Sequence, residues 1–217
     1  RYRGELGVTA LPQELEAAAR DTEVFLQTQT AHVTLGSIQR REGGVVFDVS
    51  IQNRSGHKLP TAYPSRRTWL HVQVFDGRDE VLFESGALRA DGSIVGNDND
   101  DDPLRFEPHH RAISQSGQVQ VYESIMVDAA DRVTTGLLNA VRYIKDNRLL
   151  PAGFDKSTAA ADVAVHGQAE DDPDFVAGAD RVTFNVDTGN AAGPFTIKAE
   201  MRFQPIAFRW ARNLAGY

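Results

Sequence analysis

From Ala31 the chain alternates apolar and polar side chains with a period of two, which predicts strands. Val45, Phe47, Val49 and Ile51 share one face, and Val46, Asp48 and Ser50 the other. Glu42-Gly43-Gly44 separates this run from the alternating stretch that begins at Ala31, so the two form a hairpin. Further strands are expected at Trp69–Phe75, Val81–Glu84, Gln118–Val127, Arg181–Val186 and Phe195–Phe203, with turns at Asp76-Gly77 and Asp91-Gly92. Short strands broken by turn signals predict a mainly β fold, an antiparallel β-sandwich of immunoglobulin-like or jelly-roll-like type.

Two stretches have helical period. Residues 11–29 place Pro12 in a first turn, followed by good helix formers. Near 135–147, Leu137, Val141 and Ile144 share a face, Thr135 is a cap and Pro151 a stop, which predicts a helical crossover within the sandwich. Residues 155–180 read as irregular, and Pro205–Leu214 as a short closing helix. The expected organisation is an N-terminal helix or linker over 1–30, continuing from a missing upstream region, and one β-sandwich domain over 31–217.

Composition narrows the chemistry. The 217 residues are 41% hydrophobic, enough for a real core, and carry a formal charge of −7, which argues against a nucleic-acid partner. There is no cysteine, so disulfides, thiolate nucleophiles, cysteine-bound zinc and covalent c-type haem are excluded within this chain. No apolar run approaches the ~20 residues of a membrane helix. The chain begins Arg1-Tyr2-Arg3 without methionine, and we expect an excised fragment or a processed product.

The stretch Asn53–Leu70 links two strong strands and gathers His57, Lys58, Tyr63, Arg66 and Arg67. A histidine there is a metal ligand, an acid–base group, a ligand to haem iron presented by another domain, or a local pin for the loop. Side chains alternate along a strand, so one of Arg66 and Arg67 points inward and needs a carboxylate partner, with the Asp98–Asp102 stretch a candidate. An arginine clamp on a haem propionate or another anion is the functional alternative. Asp98, Asp100 and Asp102 at alternate positions suit calcium, although Pro103 and the lack of flanking helices depart from an EF-hand, and a solvated acidic turn is the alternative. His57 with His109 or His110, and Glu107 or Glu123, would make a zinc or copper site if the fold brought them together. No nucleophile elbow, phosphate loop, His-Glu-x-x-His or dinucleotide fingerprint is present. Trp69, Tyr63 and Trp210 would form a platform for carbohydrate or a surface polymer if exposed.

Gly56-His-Lys-Leu-Pro-Thr-Ala-Tyr-Pro-Ser-Arg-Arg67, Gly96-Asn-Asp-Asn-Asp100, Phe106-Glu-Pro-His109 and Tyr143-Ile-Lys-Asp-Asn-Arg-Leu-Leu-Pro-Ala-Gly-Phe154 carry a resemblance. With Glu84-Ser-Gly86, Gln118–Glu123 and Phe203–Ala211, they make residues 50–215 resemble the cysteine-free C-terminal region of bacterial multihaem cytochrome c family proteins. The resemblance implies a periplasmic or otherwise exported protein with Cys-x-x-Cys-His haem segments upstream, of which this chain has none. It implies a non-catalytic module that docks or supports a haem-bearing domain or redox partner, with His57, Tyr63, Arg66 and Arg67 the candidate contacts. A His-based metal-dependent domain and a ligand-binding sandwich stand beside it.

Overall fold

The structure is a computed structural model, described over residues 4–215; the start at Arg1–Arg3 lies outside the described residues. Helix α1 (Pro12–Phe25) begins with Pro12 in its first turn and runs into a π-helical turn, Leu26–Thr30. Strands β1 (Ala31–Arg41) and β2 (Gly44–Asn53) form the expected hairpin. Then come β3 (Arg67–Phe75), β4 (Val81–Ser85), the short helix α2 (Asp98–Asp101), β5 (Ala112–Ile113), β6 (Val121–Tyr122), β7 (Ser124–Val127), β8 (Val133–Thr134), β9 (Arg142–Asp146), β10 (Ala179–Asp187), β11 (Thr196–Gln204) and the closing helix α3 (Phe208–Leu214).

One sheet has the order β1-β2-β10-β5, with β5 parallel to β10. The second runs β11-β3-β4, with β6 also paired to β3. The core lies between these sheets, as the period-two pattern requires. Val45, Phe47, Val49 and Ile51 of β2 and Val182, Phe184 and Val186 of β10 meet Leu70, Val72 and Val74 of β3. Phe47 and Phe184 stack at 5.3 Å between ring centroids. The opposite face of β3 buries Trp69 in a smaller cluster with Ile94, Val119 and Val121. The mainly β, sandwich-like architecture matches the sequence-based expectation.

Two expectations are corrected. The stretch near 135–147 is not a helical crossover. After the turn that follows β8, Arg142–Asp146 is a strand, and β8-β7-β9 make a third small sheet. The supposed apolar stripe is exposed at Leu137 and Val141, while Val141 donates its backbone N–H to the Val127 carbonyl at 2.9 Å. Pairing with β7 satisfies the backbone that a helix would have satisfied internally. The single strand over 118–127 is split: β6 joins β3 and β7 joins β9, so both faces of this stretch are buried.

Helix α1 has no buried residue, and its apolar side chains Leu15, Val24 and Phe25 are exposed, as is Leu11 at its N-cap. Among the described residues, no helix is long and apolar enough to cross a membrane.

Candidate functional site: a buried network around His109

Between the end of the first sheet and the small third sheet lies a buried polar cluster. His109 enters from the extended run before β5, Gln120 and Tyr122 from β6 and its approach, Asn147 from the end of β9, Asp172 from the irregular stretch, and Asp180 from the start of β10. All six are at most 4% exposed.

Backbone groups fix the orientation of both amides. Gln120 Oε1 accepts the His110 N–H at 2.7 Å, and Asn147 Oδ1 accepts the Glu123 N–H at 3.0 Å. The amide nitrogens therefore face His109 and donate to Nδ1, at 2.8 Å from Gln120 and 3.0 Å from Asn147. With Nδ1 accepting, the ring proton sits on Nε2, which donates to Asp172 Oδ2 at 3.0 Å. Burial pushes the His109 pKa down to about 4, against the pull of Asp172, so the imidazole is neutral at physiological pH. The Phe175 ring packs edge-on against it, 5.1 Å between centroids.

Asp180 Oδ2 accepts the Tyr122 hydroxyl at 2.6 Å and the Gln120 amide at 3.3 Å. Burial raises its pKa to about 6, and Asp172 adds to the rise. Burial also holds the Tyr122 hydroxyl well above its ordinary range, reinforced by Asp180, so it stays a donor. Asp172 is steadied by the Asp174 N–H at 2.8 Å and, more loosely, by Arg111 at 3.5 Å. Two carboxylates and a neutral imidazole thus converge. One ligand atom from each of His109, Asp172 and Asp180 lies within 4.8 Å of the other two. Alongside, the buried Lys145 Nζ meets Glu123 Oε1 and the Val121 carbonyl, both at 3.0 Å.

The residues singled out from the sequence are distributed differently. His57 is exposed, and its Nδ1 sits 2.9 Å from the neighbouring Lys58 carbonyl. His110 pairs with Glu107 at 2.6 Å and His109 with Asp172, so the three histidines do not share a metal-ligating group among the described residues. Asp98 pairs with Arg105, Asp100 with Arg67, and Asp102 accepts the Leu104 N–H; calcium at these residues would compete with two arginines. Arg67 is the inward arginine, 1% exposed, and Arg66 donates to the Thr61 carbonyl at 3.2 Å. Tyr63 is exposed, Trp69 is buried, and Trp210 is half-buried. Of the network, sequence reasoning named His109 alone as a candidate. The available signal was Gln120 and Tyr122 at alternate positions beside Val119 and Val121.

The fold and this network define a mainly β, largely antiparallel, sandwich-like protein with a buried polar network. No family model matches the sequence, and no curated protein matches it. Among solved structures, the fold is similar to that of a penta-haem cytochrome c552 from Thermochromatium tepidum, with a TM-score of 0.53 and 13% sequence identity. The likeness covers 89% of this chain and 36% of that one, so the chain spans about a third of the length of the protein it matches.

Proposed function

We propose that this chain is a non-catalytic β-sandwich module of an exported multihaem electron-transfer system. In this reading it docks or structurally supports haem-bearing segments that lie outside its own sequence. The observation that supports it is the shared fold, over most of this chain, with part of a protein named as a penta-haem cytochrome. With no cysteine, this chain attaches no haem c itself. The exposed His57 and Tyr63 on the Asn53–Leu70 loop are the groups this reading gives to a haem-bearing partner. Arg67 serves by holding the loop, because it is already committed to Asp100. The test is to recover the natural gene product from its cells, read its complete coding frame and stain it for covalent haem. A periplasmic product with Cys-x-x-Cys-His segments and bound haem is expected. A product without those segments, and with no haem protein recovered alongside it, overturns the reading.

A second reading rests on the convergence at His109. A divalent cation among His109, Asp172 and Asp180 would offset two buried carboxylates, using the ligand types of zinc and other first-row metals. It requires the ring proton to move from Nε2 to Nδ1, so that at least one of the Gln120 and Asn147 amides turns its oxygen toward Nδ1 and gives up the backbone N–H it now accepts. Elemental analysis after exposure to zinc and desalting decides it. About one zinc per chain in the parent, lost in Asp180→Asn, supports the site; trace metal in both sinks it.

A further inference from the structure

The two sandwich sheets do not close on each other along one side. There the edge strands β1 and β11 face each other, and the π-helical turn Leu26–Thr30 covers one end of the gap. Below it is a cavity of about 330 Å³, within the range of small-molecule sites. Its apolar wall comes from Leu26, Val33, Leu59, Ala199, Met201 and Phe203, and Val33, Ala199 and Met201 continue directly into the core. Thr68, opposite Phe203 in the β3–β11 register, also lines the cavity. Its side chain is on the core face of β3, the residue is 2% exposed, and its Oγ1 has no hydrogen-bond partner among the described residues. An unpartnered buried hydroxyl is costly. At the rim Glu200 and Arg202 are paired with each other at 2.9 Å, and His32 also lines the cavity.

We propose that this cavity is a binding site for a small neutral amphipathic molecule, with an aliphatic body between β1 and β11 and a hydroxyl or carbonyl group at Thr68. The body extends the sandwich core between β1 and β11, and the polar tip gives Thr68 Oγ1, which is closed to water, its missing partner once the side chain turns toward the cavity. The Glu200–Arg202 pair offers a carboxylate no free cation, which favours a neutral ligand. π-Helical turns are frequent at functional sites, and this one forms the cavity's end wall. The site stands independently of the haem reading.

The chain contains two methionines, which makes the test direct. Met201 lines this cavity, and Met126 lines a separate surface hollow beside Tyr143 and His166. The protein is labelled with ¹³C at the methionine methyls and titrated with 1-octanol, with Met201→Leu assigning the two signals. A saturable shift of Met201 with Met126 unmoved is expected, along with weaker binding of octanoate. Ala199→Phe, or Ala31→Leu should the first perturb folding, fills the cavity and abolishes the shift while the Met126 signal certifies the fold. Thr68→Val weakens 1-octanol about fivefold, as loss of one hydrogen bond requires. Three results overturn the proposal: no Met201 shift up to the solubility limit, parallel non-saturating shifts of both methyls, or a Met201 signal that already moves on diluting the protein alone. The last would mean that a second copy fills the gap.

Discussion

Arg67 and Asp100 form a two-armed ion pair in the interior, Nη1–Oδ1 at 2.7 Å and Nη2–Oδ2 at 2.8 Å, with both side chains at most 1% exposed. Asp100 Oδ2 also accepts the Ile94 N–H at 2.7 Å, and Arg67 Nε donates to Gln204 Oε1 at 2.8 Å. One residue pair thus ties β3, β11 and α2 together. Removing one partner strands a buried charge. Asp100→Ala is expected to cost about 3–5 kcal/mol, whereas the double variant Arg67→Met, Asp100→Leu costs less than the single change. Urea denaturation of the three proteins checks it; equal effects of the single and double changes would contradict it.

The His109 network predicts a specific pH signature. The folded-state pKa of His109 is about 4, below the ordinary 6.5, so its contribution to stability is present above pH 6.5 and lost as pH falls toward 4. Asp180 runs the other way. Its folded pKa is about 6 against an ordinary 3.8, so its contribution is full below pH 3.8 and lost as pH rises through 6. The two terms oppose each other over nearly the same window. Asp180→Asn removes the second while still accepting from Tyr122, although its NH2 then faces the Arg181 N–H that Oδ1 accepts at 2.8 Å, a loss that does not depend on pH. The stability of the variant relative to the parent should therefore rise by about 1–3 kcal/mol between pH 4 and pH 7. Denaturant titrations at pH 4, 5, 6 and 7 measure it, and a margin constant across pH would exclude a buried ionised Asp180.

Local pattern reveals some of this molecule, and distance in sequence hides the rest. The β1–β2 hairpin is visible because one face of β2 is core, so its side chains must alternate. An inward arginine with a carboxylate partner follows from the same alternation, and Arg67–Asp100 realises it. The misread helix near 135–147 shows the weakness of short windows: Leu137, Val141 and Ile144 fit a helical face, but tertiary pairing with β7 decides. The His109 site leaves almost no trace. Asp172 lies 63 positions from His109 in a stretch without periodicity, and Asn147 lies 38 away. Only the three-dimensional path of the irregular segment brings them together.

Gly86 is expected to resist any side chain. Its φ is +78°, and a Cβ there would run into the Leu70 carbonyl and approach Trp69 Cδ1 to 3.0 Å. Its own carbonyl accepts the Trp69 indole N–H at 2.9 Å. Gly86→Ala therefore combines left-handed strain with a backbone collision and should cost more than about 2 kcal/mol. Gly153, at φ +81° with open space around it, isolates the strain alone, and Gly153→Ala should cost about 1 kcal/mol. Equal losses in thermal or urea unfolding would mean that the close approach at Gly86 is relieved cheaply.

The loop that carries His57 is held by its neighbour. Lys58 Nζ reaches Asp146 Oδ2 at 2.8 Å and the Ala164 carbonyl at 3.1 Å, and Leu59 exchanges backbone hydrogen bonds with Leu149 at 2.9 Å in both directions. Burial raises the Asp146 pKa, but Arg148 and Lys58 outweigh it and hold the carboxyl below its ordinary value. A depressed carboxylate stabilises the fold above its unfolded pKa of 3.8, and that support is lost as pH falls through the folded value. Burial outweighs Asp146 and lowers the Lys58 pKa, and Asp146 keeps Arg148, so Lys58→Met should cost only about 1 kcal/mol at pH 7, with the deficit shrinking in acid as Asp146 protonates. His57→Ala removes only an exposed ring bonded to the adjacent carbonyl, and should stay within about 0.5 kcal/mol of the parent. Parallel urea titrations at pH 7 and pH 3 separate the two residues. A larger loss for His57→Ala than for Lys58→Met would place the loop's anchor at the histidine instead, and would remove His57 from the set of groups free to meet a partner.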